Sequence, residues 1–436
     1  MNTFKKSIFL LILVSLPALA IAQQGVVKQA QSAKFALTNA KIYTVTNGVI
    51  ENGTIVINNG IIEAVGADIA IPADAVVFNY EGQEIYPGMI DSGTQLGLIE
   101  IGSVAEAKDF NEEGDITPQM EALTAVNPNS EAIPVTRVSG VTTVITRPSG
   151  GVLPGMAATI NLFGYTPDQM FANSKGLIVN YPSSARRWRQ TQEQAEKARE
   201  KALKNLNDAW DKAEIYANIQ TADEVRYYPE MEAIAKAING EVLIYIEVNA
   251  AKDILSAIDW VQERELDNVV FTGVSEGWRV ADKIAEAGIP VITGPVLSVP
   301  SRQSDRYDAA YKNPGILTQA GVKVALRSND TENSRNLPYN AGFAATYGMG
   351  REEALKAITI NAAEIMGISD QLGSIEVGKQ ANLFVASGDP FETATQILDV
   401  FINGYQIPMT NRQMELYDEF LNRVPGLDKN PITEDQ

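Results

Sequence analysis

Residues 89–90, 141–146, 158–162, 177–180, 242–248, 268–272, 289–293 and 322–326 form a series of short apolar runs, most of them apolar at nearly every position. Strands buried on both faces require such runs. Stretches with helical periodicity follow several of them, over residues 254–265, 278–287 and 351–366. Strand and helix in alternation predict an α/β fold with a parallel sheet, closed as a (β/α)8 TIM barrel. An open, doubly wound sheet is the alternative with the same local pattern. In the barrel, residues just past each strand's C-terminal end line one mouth, which fixes where chemistry is to be sought.

A different pattern precedes the barrel. Residues 35–38, 41–45, 53–58, 60–65 and 76–79 read as short alternating strands. Asn47-Gly48, Asn52-Gly53 and Asn59-Gly60 are hairpin-type turns between them. They predict a small antiparallel β domain that ends at the Pro87-Gly88 turn.

The first residues have the order of a secretory signal: basic Lys5-Lys6, an apolar run over 8–16, and small-x-small at Ala20-Ile21-Ala22. Cleavage is expected after Ala22, with a periplasmic or secreted product and no membrane span left after cleavage. A buried N-terminal helix is the competing reading. The chain has no cysteine, so neither a disulfide nor a lipid-bearing cysteine is available to it. The net charge of -19 argues against nucleic acid or an anionic membrane as a partner.

Residues 183–217 are dense in Lys, Arg, Glu and Gln, with Ala195, Ala198, Ala202, Leu206, Ala209 and Ala213 at helical spacing. They predict a long, mostly exposed helix inserted after the fourth barrel strand. It reads either as a solvated helix or as a lid or partner-binding arm over the barrel mouth.

Tyr86-Pro-Gly-Met-Ile-Asp-Ser-Gly-Thr-Gln-Leu-Gly-Leu98 is the first barrel strand and its exit. Asp91, Gly93 and Gln95 share a face if the strand continues. Near the other end stands Leu372-Gly-Ser-Ile-Glu-Val-Gly-Lys-Gln-Ala-Asn-Leu-Phe-Val-Ala-Ser-Gly-Asp-Pro390. Both stretches resemble the metal-dependent amidohydrolase superfamily, in its imidazolonepropionase-like and prolidase-like branch. The resemblance extends over nearly the whole mature chain and implies a TIM barrel with a small β-sandwich built from both terminal segments. It divides the chain into a signal peptide (1–22), the first part of the sandwich (23–85), the barrel (86–371, with the helical insertion 183–217), the second part of the sandwich (372–415) and a tail (416–436).

What the resemblance implies for the site is unusual. The family's two metal-binding histidines of the first strand fall on Gly93 and Gln95. The fifth-strand histidine falls near Glu247, with Asn249 beside it, and the sixth-strand histidine falls on Thr272. The aspartate that takes the proton of the attacking water falls on Asn329, whose amide is not basic. The chain contains no histidine at all. No cofactor is therefore expected, although Asp91, Glu247 and Asp330 are the carboxylates that could substitute around Ca²⁺ or Mg²⁺. Arg327 occupies a place where the family has Gly. A buried Arg needs a partner, and Glu247 is the best candidate, with Asp91 second. Arg147, in the Gly/Pro-rich loop after the second strand, either lies in a turn or holds a ligand carboxylate. The expected function is that of an exported pseudoenzyme, binding a small amide or peptide-like ligand or serving as a subunit in a homo-oligomer or beside an active relative. The alternative is a hydrolase of dipeptide or non-peptide C–N bonds that works without histidine.

Overall fold

The computed structural model describes residues 29–186, 189–219 and 226–423. The expected leader and cleavage site, and the tail beyond residue 423, lie outside them. No helix among the described residues is long and apolar enough to cross a membrane.

Nine strands form the β domain: β1 (Gln31–Ser32), β2 (Phe35–Tyr43), β3 (Val49–Asn58), β4 (Ile61–Gly66), β5 (Val76–Asn79) and β6 (Glu84–Pro87), then β15 (Leu383–Ala386), β16 (Ile397–Ile402) and β17 (Tyr405–Gln406). The two chain segments meet where β6 pairs antiparallel with β15. Phe35, Leu37, Ile42, Ile55, Leu383 and Phe401 fill its core, with Phe35 set edge-on to Phe401 at 5.4 Å. The domain is the small β-sandwich expected from the sequence.

The eight strands between these segments are β7 (Met89–Thr94), β8 (Val141–Thr146), β9 (Gly155–Asn161), β10 (Phe171–Asn180), β11 (Leu243–Val248), β12 (Val269–Gly273), β13 (Val291–Thr293) and β14 (Val324–Leu326), side by side in chain order. Each coincides with one of the apolar runs. Together they make a nearly closed TIM-type barrel. One residue from each strand forms an inner ring: Ile90, Ile145, Ala157, Ile178, Tyr245, Val270, Ile292 and Ala325. The first and last strands meet through Asn329 N–H donating to the Gly93 carbonyl at 3.0 Å and Ser328 N–H donating to Asp91 Oδ1 at 2.9 Å.

One strand departs from the simple barrel. β9 runs antiparallel to both β8 and β10. The cause is local. The loop 147–154 between β8 and β9 is far shorter than the roughly dozen residues a parallel crossover needs. It carries Pro148, Gly150, Gly151 and Pro154, and Gly150 and Gly151 have φ of +91° and +59°.

The insertion is the long, mostly exposed helix expected, but one face departs from expectation. It runs Gln192–Ile219, and one face of its second half packs into the core. Leu206, Trp210 and Ala213 are completely buried, and Trp210 meets Trp260 edge-on at 5.0 Å. Arg264 fastens it further through ion pairs to Asp211 and Glu214, both at 2.8 Å. An alanine stripe looked too small to bury much, but Trp210 turns it into part of the main core.

Candidate functional site

Residues two apart on a strand share a face. The inner ring therefore determines what stands one layer above it. Arg147 lies two past Ile145, Glu247 two past Tyr245, Thr272 two past Val270 and Arg327 two past Ala325. All four belong to the strands' C-terminal ends, and they converge on one carboxylate.

Arg327 grips Glu247 through both arms, Nη1 donating to Oε2 at 2.7 Å and Nη2 to Oε1 at 2.8 Å. Its Nε donates to the Gly294 carbonyl at 3.3 Å. Arg147 Nη1 donates to Oε2 at 2.7 Å, Thr272 Oγ1 to Oε2 at 2.8 Å, and Asn249 Nδ2 to Oε1 at 3.2 Å. Arg147 and Arg327 are buried, while the Glu247 side chain keeps 21% of its surface open. Burial pushes the Glu247 carboxyl upward, but the Arg327 and Arg147 charges outweigh it and hold it well below the usual carboxylate range. Burial pushes the Arg147 guanidinium down, against the pull of Glu247. The pairing of Arg327 with Glu247 is the one the sequence favoured. Arg147 is more than a turn residue: it serves the same carboxylate. Its position two residues past the inner-ring Ile145 was the signal for this.

Gly93 explains how Arg327 fits. A Cβ on Gly93 would lie 3.0 Å from Arg327 Cδ and 3.5 Å from its Cβ. The Arg327 stem thus fills the space over Gly93, and any larger side chain there would meet it. Asp91 is fully buried behind this contact. Its Oδ1 accepts from the Ser328 and Gly93 N–H groups at 2.9 and 3.2 Å, while Oδ2 has no partner. Burial raises its pKa to about 6.

The remaining candidates do not join the cluster. Gln95 is half-buried past the end of β7. Asn329 is exposed, with φ at +51°. Asp330 turns away and accepts from Asn333 N–H and Nδ2 at 2.9 and 3.1 Å. Asp91, Glu247 and Asp330 therefore form no shared carboxylate site, and among the described residues no three His, Cys, Asp or Glu side chains could hold a metal ion together. Both Glu247 oxygens are already engaged by N–H and O–H donors, and a guanidinium stem fills the Gly93 face. These residues do not fit the metal that the fold's relatives would suggest.

Beside the cluster is a cavity of about 190 Å³ lined by Arg327, Glu247, Asn249, Asn329, Trp278 and Ser301, among others. The loop 294–305 that forms part of its wall is tied down by Glu276, which accepts from Arg302 Nε and Nη2, and by the Arg279–Asp305 ion pair.

The nearly closed barrel, joined to a two-segment β-sandwich, gathers these polar residues at the strands' C-terminal ends. Residues 308–407 match the model of the amidohydrolase family. Amidohydrolase tasK of Hapsidospora irregularis is 22% identical over 81% of this chain and 39% of its own length, so the chain spans well under half of that relative. Imidazolonepropionase of Thermoplasma volcanium is 24% identical over 84% of this chain and 93% of its own. The crystal structure of an amidohydrolase from Thermotoga maritima superposes with a TM-score of 0.76 at 25% identity, over 87% of this chain and all of the other. The chain is thus similar to amidohydrolases over most of its length, and matches that family's model over residues 308–407.

Proposed function

We propose that this is an exported, metal-free member of the family that binds a small amide or peptide-like ligand at the barrel mouth and does not hydrolyse it. The observation that carries the reading is the bidentate clasp of Arg327 on Glu247. A fixed guanidinium stands where a hydrolase of this family would need an open metal position, and Arg147 closes the other side. The cluster of two arginines and one glutamate is cationic, so a ligand carboxylate or amide oxygen is the group it favours. The cavity beside it offers Asn249, Asn329 and Ser301 for orientation, with Trp278 as an apolar wall. Asp91 is the remaining acid–base candidate for a histidine-free hydrolase. Its free oxygen is sealed from solvent, which disfavours that alternative.

The test is to expose purified protein to acetylated amino acids and dipeptides, following binding by calorimetry and cleavage by mass spectrometry. Saturable binding with intact ligand, in protein dialysed against chelator, is expected. Turnover would contradict the proposal, pointing to a metal if chelator abolishes it and to a histidine-free hydrolase if it does not. N-terminal sequencing of periplasmic or secreted material should begin at Gln23; an unprocessed cytoplasmic chain would contradict the export part.

A further inference from the structure

The cavity beside Arg327 has one wall unlike the rest. Between the end of β13 at Thr293 and the helix Ala309–Gln319, fifteen residues form neither strand nor helix. Their Ser298, Val299, Ser301 and Asp305 line the cavity. An irregular connection of that length inside a compact domain is uncommon and usually serves as a lid or binding loop.

The way this loop is held divides it. Its start is fixed: Val296 and Leu297 N–H both donate to Oδ1 of the buried Asn340, at 2.8 and 3.0 Å. Its end is fixed too, because the buried Asp308 accepts from Arg306 Nε at 3.1 Å and pairs with Lys312 Nζ at 2.7 Å. The span 298–305 between them is different. Among the described residues no backbone hydrogen bond joins it to a barrel strand; those it makes are local, from Ser298 N–H to the Val296 carbonyl and from Asp305 N–H to that of Arg302. Three side-chain contacts hold it, all to the segment 275–279. Ser301 Oγ donates to Ser275 Oγ at 3.2 Å, Arg279 pairs with Asp305, and Arg302 grips Glu276 through Nε and through Nη2, the latter at 2.7 Å.

The Arg302 clasp is lopsided. The Glu276 side chain is 4% exposed and keeps a second partner, the Ala251 N–H at 3.0 Å, whereas the Arg302 side chain is 53% exposed. Releasing Arg302 moves a cation already half in water fully into water, and lets water reach Glu276. Opening therefore costs the loop little, while the barrel side stays in place. Glu276 also touches the site, its N–H donating to the Asn249 carbonyl at 3.0 Å. At the tip of the loop, Val299 leaves an apolar side chain 85% exposed at the cavity rim.

Resting on the binding function proposed above, we infer that residues 298–305 are the gate of that site. The span swings off the segment 275–279 to admit the ligand, and the clasp of Arg302 on Glu276 re-forms over it, with Val299 covering the ligand's apolar part.

The test follows the rates at which acetyl-dialanine binds to the full chain, by stopped-flow mixing. A gate changes association and dissociation together and leaves affinity nearly alone, whereas a lost contact weakens affinity. Arg302→Ala removes the clasp and should speed both rates about tenfold. The double variant Ser275→Cys with Ser301→Cys does the reverse. The two hydroxyls are close enough for a disulfide to replace them, and the chain has no cysteine of its own to interfere. Oxidised, this variant should take up and release the peptide about tenfold more slowly, and reductant should restore both rates. In ligand-free Arg302→Ala, hydrogen exchange should quicken over residues 298–304 and stay unchanged at Val296 and Leu297, with thermal unfolding to confirm that each variant folds. Equal rates in the oxidised and reduced forms, or exchange that Arg302→Ala leaves unaltered, would overturn the gate and leave the binding function standing. Failure of acetyl-dialanine to bind any form would overturn the binding function, and the gate with it.

Discussion

At the scale of single residues, Gly93 and Arg327 are a matched pair. Arg327 is pinned at its far end by Glu247 and Gly294, so its stem cannot withdraw from a new Cβ. Gly93→Ala should cost about 1–3 kcal/mol in urea unfolding, and much less in an Arg327→Ala background, where the space is vacant. Equal losses in both backgrounds would show that the contact is not tight. Asp91 gives a pH signature. Its folded pKa, about 6, lies above its unfolded value of 3.8, so the folded state holds the proton more firmly. Its contribution to stability is full below the unfolded value and is lost as pH rises through about 6, by roughly 3 kcal/mol in all. Glu247 has the opposite sign: its contribution is present above its unfolded value and is lost as pH falls through its depressed folded value. Asp91→Asn should flatten the decline in stability between about pH 4 and 6. An unchanged profile would place the titration elsewhere.

At the scale of elements, the strands were legible because each buried run is apolar almost without interruption, and all eight fall where the sequence put them. Direction was less legible. A short loop with two prolines and two glycines between β8 and β9 already argued against a crossover, but the pattern of runs alone does not report direction. The buried face of the helix Gln192–Ile219 was hidden for a similar reason. Counting alanines finds the stripe, whereas Trp210 and its partner Trp260 are distant in sequence and meet only in the fold. Trp210→Ala should cost about 3–5 kcal/mol, as expected for a large aromatic removed from a core. Thermal unfolding that hardly changes would return the helix to the status of a dispensable arm.

At the scale of the whole molecule, the barrel closes around a charge cluster assembled from four strands or their exits. Absent histidine and an Arg in place of Gly were visible in the sequence, and they sufficed to pair Arg327 with Glu247. The second arginine was not assigned to that carboxylate, because residue 147 is remote in sequence from residue 247 and only the barrel's layering brings the two together. The cluster predicts an asymmetry. Removing Glu247 leaves two buried arginines facing each other without an anion, whereas removing Arg327 leaves Glu247 still held by Arg147 and Thr272. Glu247→Ala should therefore cost about 3–5 kcal/mol and Arg327→Ala distinctly less. The most direct measurement of the central claim is the unfolding free energy of Arg327→Ala, Glu247→Ala and the double variant, each with and without chelator. A guanidinium holding the barrel mouth in place of a metal predicts a coupling of about 1–3 kcal/mol that chelator does not alter. Additive losses, or a stability that falls when chelator is added, would contradict it.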